Sequence, residues 1–142
     1  MEIMIMEDPF EPDDILDILI EKWEKDEKGM TLGEMEDVLK KTEPTFDREL
    51  LEAYLEKLTD DRSLMSWKGK YYPFRALRKG LSEEIEGTIM EGVNRYNKTR
   101  IKNIDPGYFK EHHGISQGAL NWVVRKMERE KKIMTFSRTV NE

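Results

Sequence analysis

The stretch Ala119 to Phe136, ALNWVVRKMEREKKIMTF, lies without a gap over Leu50 to Trp67, LLEAYLEKLTDDRSLMSW, at an offset of 119 − 50 = 69. Apolar residues coincide along both copies: Leu50, Leu51, Ala53, Tyr54, Leu55, Leu58, Leu64, Met65 and Trp67 in the first, and Ala119, Leu120, Trp122, Val123, Val124, Met127, Ile133, Met134 and Phe136 in the second. Each copy opens with apolar residues at helical spacing, passes through a charged tract and ends in a short apolar run of strand type. The chain therefore reads as two small units on one plan.

A length of 142 residues suits that division, because two minimal domains of this size need a shared interface to bury enough surface. With 37% hydrophobic and 38% charged residues, only modest cores are available. No apolar run approaches the roughly 20 residues of a membrane span, and MEIMIMEDPF lacks the basic start and long apolar stretch of a signal peptide, so a cytoplasmic location is expected. Without cysteine there is no disulfide, thiol nucleophile or thiolate metal site. The net charge of −6 is unevenly spread: residues 1–74 carry 10 − 21 = −11 and residues 75–142 carry 14 − 9 = +5. Such an imbalance points to different partners for the two halves, or to attraction between them.

In chain order, residues 1–11 are an N-terminal extension. Pro12 and Asp13 open a helix whose apolar face is Ile15, Leu16, Leu19, Ile20 and Trp23, closed by Gly29. Thr31 and Glu34 have capping-box spacing for a second helix over 34–41, with Met35, Val38 and Leu39 inward. A third helix spans 46–60, followed by strand Leu64 to Trp67, turn Lys68-Gly69-Lys70 and strand Tyr71 to Phe74. Residues 75–81 read as a basic linker. In the second unit, 82–142, Ser82 is expected to cap a helix with Ile85, Ile89, Met90, Val93 and Tyr96 on its face. Tyr96 to Ile104 then forms a connection, and Asp105-Pro106 starts a helix to about His112. Gly114 breaks it, and Ser116 caps a long helix to about Glu130. Lys132 to Phe136 and Thr139-Val140 make a second, shorter hairpin.

Three helices followed by a β-hairpin, with the third helix the best patterned, resembles the winged-helix group of helix-turn-helix domains. The fold class expected is mainly α with small β-hairpins (α+β), as two tandem winged-helix units of order ααα-ββ over 12–74 and 82–142. That resemblance implies either DNA binding, with the third helix in a major groove, or a protein-interaction module. The near absence of the second wing argues against minor-groove contact by it.

On a helical wheel the outward positions of the first third helix are Glu49, Glu52, Ala53, Glu56 and Asp60. Their counterparts in the second are Gly118, Asn121, Trp122, Arg125 and Arg129, with Gln117 before them and Lys126 beside them. Arg, Asn and Gln match the hydrogen-bonding edges of bases, and Arg and Lys neutralise phosphates. Gln117, Asn121, Arg125, Lys126, Arg129, Lys131 and Lys132 are accordingly the candidate nucleic-acid-binding residues, with Arg95, Lys98, Arg100, Lys102 and Lys110 as further phosphate contacts. A solvated basic helix face has the same composition. Trp122, opposite the core side, calls for burial against the other unit or a partner, or for stacking. With Glu52, Glu56 and Asp60 it forms the candidate partner-binding set. Lys68-Gly69-Lys70 is either a wing at a phosphate backbone or a plain turn.

His112 and His113 are the only histidines and, being adjacent, diverge on a helix; no metal site, P-loop, dinucleotide fingerprint or nucleophile triad is present, so no catalysis and no cofactor are expected. The function expected is a non-enzymatic duplex-DNA-binding factor for transcription or replication. Its rival is a winged-helix adaptor binding only protein partners, similar in layout to the winged-helix subunits of ESCRT-II or the ScpB-like partners of condensin. Composition leaves the oligomeric state open.

Overall fold

The computed structural model describes residues 10–42, 46–98 and 106–133, with all their side chains except those of residues 93–98 and 106. Helix α1, Pro12–Asp26, begins with proline at its first position, and the Asp14 carboxylate accepts from the Glu11 amide at 2.8 Å. Ile15, Leu19 and Trp23, four residues apart, form its buried stripe. The helix stops at Glu27, whose left-handed backbone lets its amide reach the Trp23 carbonyl, and not at Gly29. Gly29 serves a different end: a Cβ there would lie 2.7 Å from the Tyr72 ring and 2.8 Å from the Tyr71 carbonyl, so only glycine fits this close.

Helix α2, Leu32–Thr42, carries the expected capping box, with the Glu34 amide on the Thr31 hydroxyl and the Thr31 amide on the Glu34 carboxylate. Met35 and Leu39 are buried, whereas Val38 is 37% exposed and lies off the core stripe. Helix α3, Arg48–Asp60, starts two residues later than the pattern predicts, because Asp47 caps it by accepting from the Glu49 amide. Strands β1, Leu64–Trp67, and β2, Lys70–Pro73, form one antiparallel hairpin, with Leu64 opposite Pro73 and Met65 opposite Tyr72. Residues 12–73 are thus three helices and a hairpin, the layout of one winged-helix-like unit.

The segment read as a linker is a 3-10 helix, Phe74–Lys79, in which Ala76 and Leu77 are fully buried. Helix α4, Leu81–Lys98, begins before Ser82, which is buried in its first turn instead of capping it, and runs past the expected connection at Tyr96. Ile85 and Ile89 are buried and Met90 partly so; the side chains of Val93 and Tyr96 lie outside those described. Helix α5, Pro106–His113, and helix α6, Gln117–Arg129, are separated by Gly114 at φ 59°. Among the described residues the protein is mainly α with one two-stranded hairpin, so one three-helix-and-hairpin unit is seen complete. The second hairpin falls largely on residues outside the described ones, and Lys132 and Ile133 are not in a strand.

Two hydrophobic cores result. One holds Phe10, Ile15, Leu19, Met30, Met35, Leu39, Leu51, Leu55, Leu58 and Leu64; the other holds Trp23, Met65, Trp67, Tyr72, Ala76 and Leu77 with the inner faces of α4, α5 and α6. Strand geometry explains the division, since successive side chains point to opposite faces. Leu64 and Tyr71 serve the first core, and Met65, Trp67 and Tyr72 the second. The hairpin is therefore a wall between the cores, and its would-be wing is not an exposed flap.

Candidate interaction site

The outer face of α3 follows the helical wheel: Glu49, Glu52, Ala53, Glu56 and Asp60 are all exposed, because Leu51, Leu55 and Leu58 turn inward. Glu52 has an ion pair with Arg48 at 3.5 Å, a helix-surface contact of small energetic weight. Glu56 and Asp60 have no ion-pair partner among the described residues. Beside them runs an open groove of about 360 Å³, lined by Leu32 of α2, by Glu52, Leu55, Glu56, Thr59 and Asp60 of α3, and by Ser66 and Tyr71 of the hairpin. A second depression shares Glu56 and Asp60 and adds Ala53, Lys57 and Asp61. Burial, reinforced by the Glu52 carboxylate, holds the Tyr71 phenol above its ordinary value. Leu32 and Tyr71 give it apolar surface that α3 alone does not reveal. Their sequence signal is indirect, since Leu32 lies inside the Thr31–Glu34 capping box and Tyr71 opens a strand.

Helix α6 matches α3 end for end at the same offset. It runs from 48 + 69 = 117 to 60 + 69 = 129, and both helices end alike. Asp61 donates to the Lys57 carbonyl and Glu130 to that of Lys126, each at 3.0 Å. Arg62 and Lys131 turn left-handed at φ 66° and 59°, and the Ser63 and Lys132 amides reach back to Leu58 and Met127 at 2.9 Å. The buried stripe differs slightly. Ala119, Leu120, Val123 and Met127 are buried and Val124 only partly, which turns the α6 core face toward Val123.

Among the candidate nucleic-acid residues, Arg125, Arg129 and Lys131 are exposed and have no ion-pair partner among the described residues. Gln117 donates to the Asn121 side-chain oxygen at 2.9 Å, so the two amides partly satisfy each other. Lys126 and Lys132 are engaged elsewhere. Their ammonium groups lie 2.9 and 3.2 Å from the Glu86 carboxylate of α4, and 3.0 and 2.8 Å from that of Glu130. Glu86 is only 5% exposed, and a carboxylate that deep needs counter-charges. The hydrogen bond to Glu86 is the largest influence holding Lys126 above the ordinary lysine range, followed by that to Glu130. Glu86 was missed because it comes from an element 40 residues away; its only signal was a position one turn after Ser82, beside the apolar stripe.

Trp122 is half-buried against the second core, so it sits at the edge of the core and not opposite it. Gly118 lies against the side chain of Arg62: a Cβ there would be 3.1 Å from the Arg62 Cγ. The turn between α5 and α6 is also covered. β1 binds it through the Ser116 amide on the Ser66 carbonyl, the Ser66 amide on the Ser116 hydroxyl at 3.1 Å and the Ser66 hydroxyl on the Gly114 carbonyl at 2.9 Å. Next to these the Lys68 amide donates to the His113 carbonyl at 2.7 Å. Ser116 thus starts α6 but spends its hydroxyl on Ser66 instead of the helix. The Lys68-Gly69-Lys70 turn is docked by its backbone, with the Lys68 and Lys70 side chains exposed. Lys110 is exposed on α5, while the side chains of Arg95, Lys98, Arg100 and Lys102 lie outside those described.

Among the described residues no group of three or more histidines or carboxylates is placed to hold a metal ion, and no helix is long and apolar enough to cross a membrane. No family model, no curated protein and no solved structure matches the chain.

Proposed function

We propose that this chain is a non-enzymatic interaction module, a pair of winged-helix-like units that binds a basic protein segment along the outer face of α3. The observation that carries this reading is the groove beside α3, whose rim carboxylates Glu56 and Asp60 lack ion-pair partners among the described residues. A partner presenting Lys or Arg there gains charge complementarity, and Leu32 and Tyr71 offer it apolar contact. The tandem arrangement finds support in the matched ends of α3 and α6. Binding of a fluorescein-labelled amphipathic peptide of Lys, Arg and Leu tests the reading by anisotropy. Saturable binding to the wild type, weakened by Glu56→Lys and Asp60→Lys and unchanged by Arg125→Glu, is expected; no binding at low salt contradicts it.

Duplex DNA is the second reading, favoured by one observation: Arg125 and Arg129 on α6 and Lys131 just after it stand exposed, with no ion-pair partner among the described residues. It ranks below the first because Lys126 and Lys132 are already neutralised and the turn before α6 is covered by the hairpin. A random duplex should then bind with a steep salt dependence and weaken on either Arg→Glu change.

A further inference from the structure

We infer that the basic segment received by α3 is helix α6 of a second copy of this chain. The inference rests on the acidic-face reading above and names its partner. Helices α3 and α6 have the same length and the same terminal geometry, so positions 69 apart correspond along the two helices, and although the α6 core face is turned slightly, both members of the pairs 56/125 and 60/129 stay exposed. At two such places the charges are opposite: Glu56 matches Arg125, and Asp60 matches Arg129. All four side chains are exposed, and none has an ion-pair partner among the described residues. One turn earlier, Glu52 matches Asn121, whose amide can donate to a carboxylate. Guanidinium groups suit this role, since they bind carboxylates through two parallel hydrogen bonds. Lysines on the same helix are not needed, because Lys126 already serves Glu86.

The halves carry opposite net charge, −11 and +5, which steers two copies into an antisymmetric approach, acidic half to basic half. Because the two faces differ, each contact is heterologous. It leaves one acidic and one basic face free, so association extends into a chain or closes into a ring.

Sedimentation velocity over a concentration series at low and high salt tests this. The wild type should show a sedimentation coefficient that rises with concentration at low salt and returns to the monomer value when salt screens the faces. Two reversed proteins provide the decisive comparison: E56R/D60R, with both faces basic, and R125E/R129E, with both acidic. Each alone should associate at least about tenfold more weakly than wild type, since like charges then face each other. An equimolar mixture should associate again, because each supplies the face the other lacks. All four positions are exposed, so both proteins should keep the wild-type circular dichroism. A wild type that is monomeric at every concentration, or association indifferent to both reversals, overturns the second copy as partner. The basic-peptide titration separates the two claims: peptide binding by a monomeric wild type leaves the acidic-face reading standing, and its absence removes that as well.

Discussion

Leu64 and Met65 are neighbours in sequence, both are fully buried, and they lie in different hydrophobic cores. A single peptide unit thus joins the packing of α1, α2 and α3 to that of α4, α5 and α6. The bonds between β1 and the turn at 113–116 add to the same junction, with Ser66 and Ser116 linked through both backbone and side chain.

If the hairpin is a shared wall, the two halves unfold together. Leu64→Ala and Met65→Ala should each cost about 2–5 kcal/mol, as large-to-small changes in filled cores do. Urea unfolding followed by tryptophan emission, which reports mainly on the second core through Trp23 and Trp67, should coincide with unfolding followed by far-UV circular dichroism. Two separated transitions would show that the cores are independent.

Glu86→Gln removes the buried charge that draws Lys126 and Lys132 onto α4. Both lysines keep some solvent, with 26% and 47% of their side chains exposed, so the loss is smaller than for a fully buried pair. About 1–2 kcal/mol of stability should go, read as a lower thermal midpoint. An unchanged midpoint would mean that the cluster contributes nothing net.

His113 is stacked on Trp67 at 5.7 Å and on Phe109 at 6.2 Å, and its carbonyl receives the Lys68 amide. Burial is the main cause that lowers its pKa below 6.5, with Lys68 and His112 adding to it and Glu91 of α4 opposing. The unfolded chain then takes up a proton before the folded one. Stability should be full above pH 6.5 and fall as the pH drops toward the lowered folded value. His113→Phe keeps an aromatic ring and removes the proton site, so its midpoint should fall less than that of wild type between about pH 7 and about pH 5.5. Parallel curves for the two proteins would contradict this coupling.

Local signals in the sequence served well. The capping box of Thr31 and Glu34, the proline starts of α1 and α5 and the end of α3 at Asp60 are visible because they depend on residues within one or two turns. What was misread depends on distant partners. Leu64 and Met65, and Tyr71 and Tyr72, are adjacent apolar pairs, the pattern of strands covered on both faces, but which core each residue joins depends on helices distant in sequence. Lys126 and Lys132 look like free cations until Glu86 is placed beside them, and Val124 looks like the core position until α4 and the 3-10 helix turn α6 toward Val123. The acidic face of α3 was legible because a helix face is set by its own periodicity. The groove beside it was not, since Leu32, Ser66 and Tyr71 arrive from three other elements.

The most direct test of the central claim is an amide-resolved NMR titration of the protein with the basic amphipathic peptide. In Arg125→Glu/Arg129→Glu, which lacks the basic face needed for self-association, shifts at low salt should concentrate on residues 52–60, Leu32 and Tyr71, and should vanish when Glu56→Lys/Asp60→Lys is added. Shifts confined to residues 117–131, or no shifts at any ratio of peptide to protein, would contradict an interaction surface on α3.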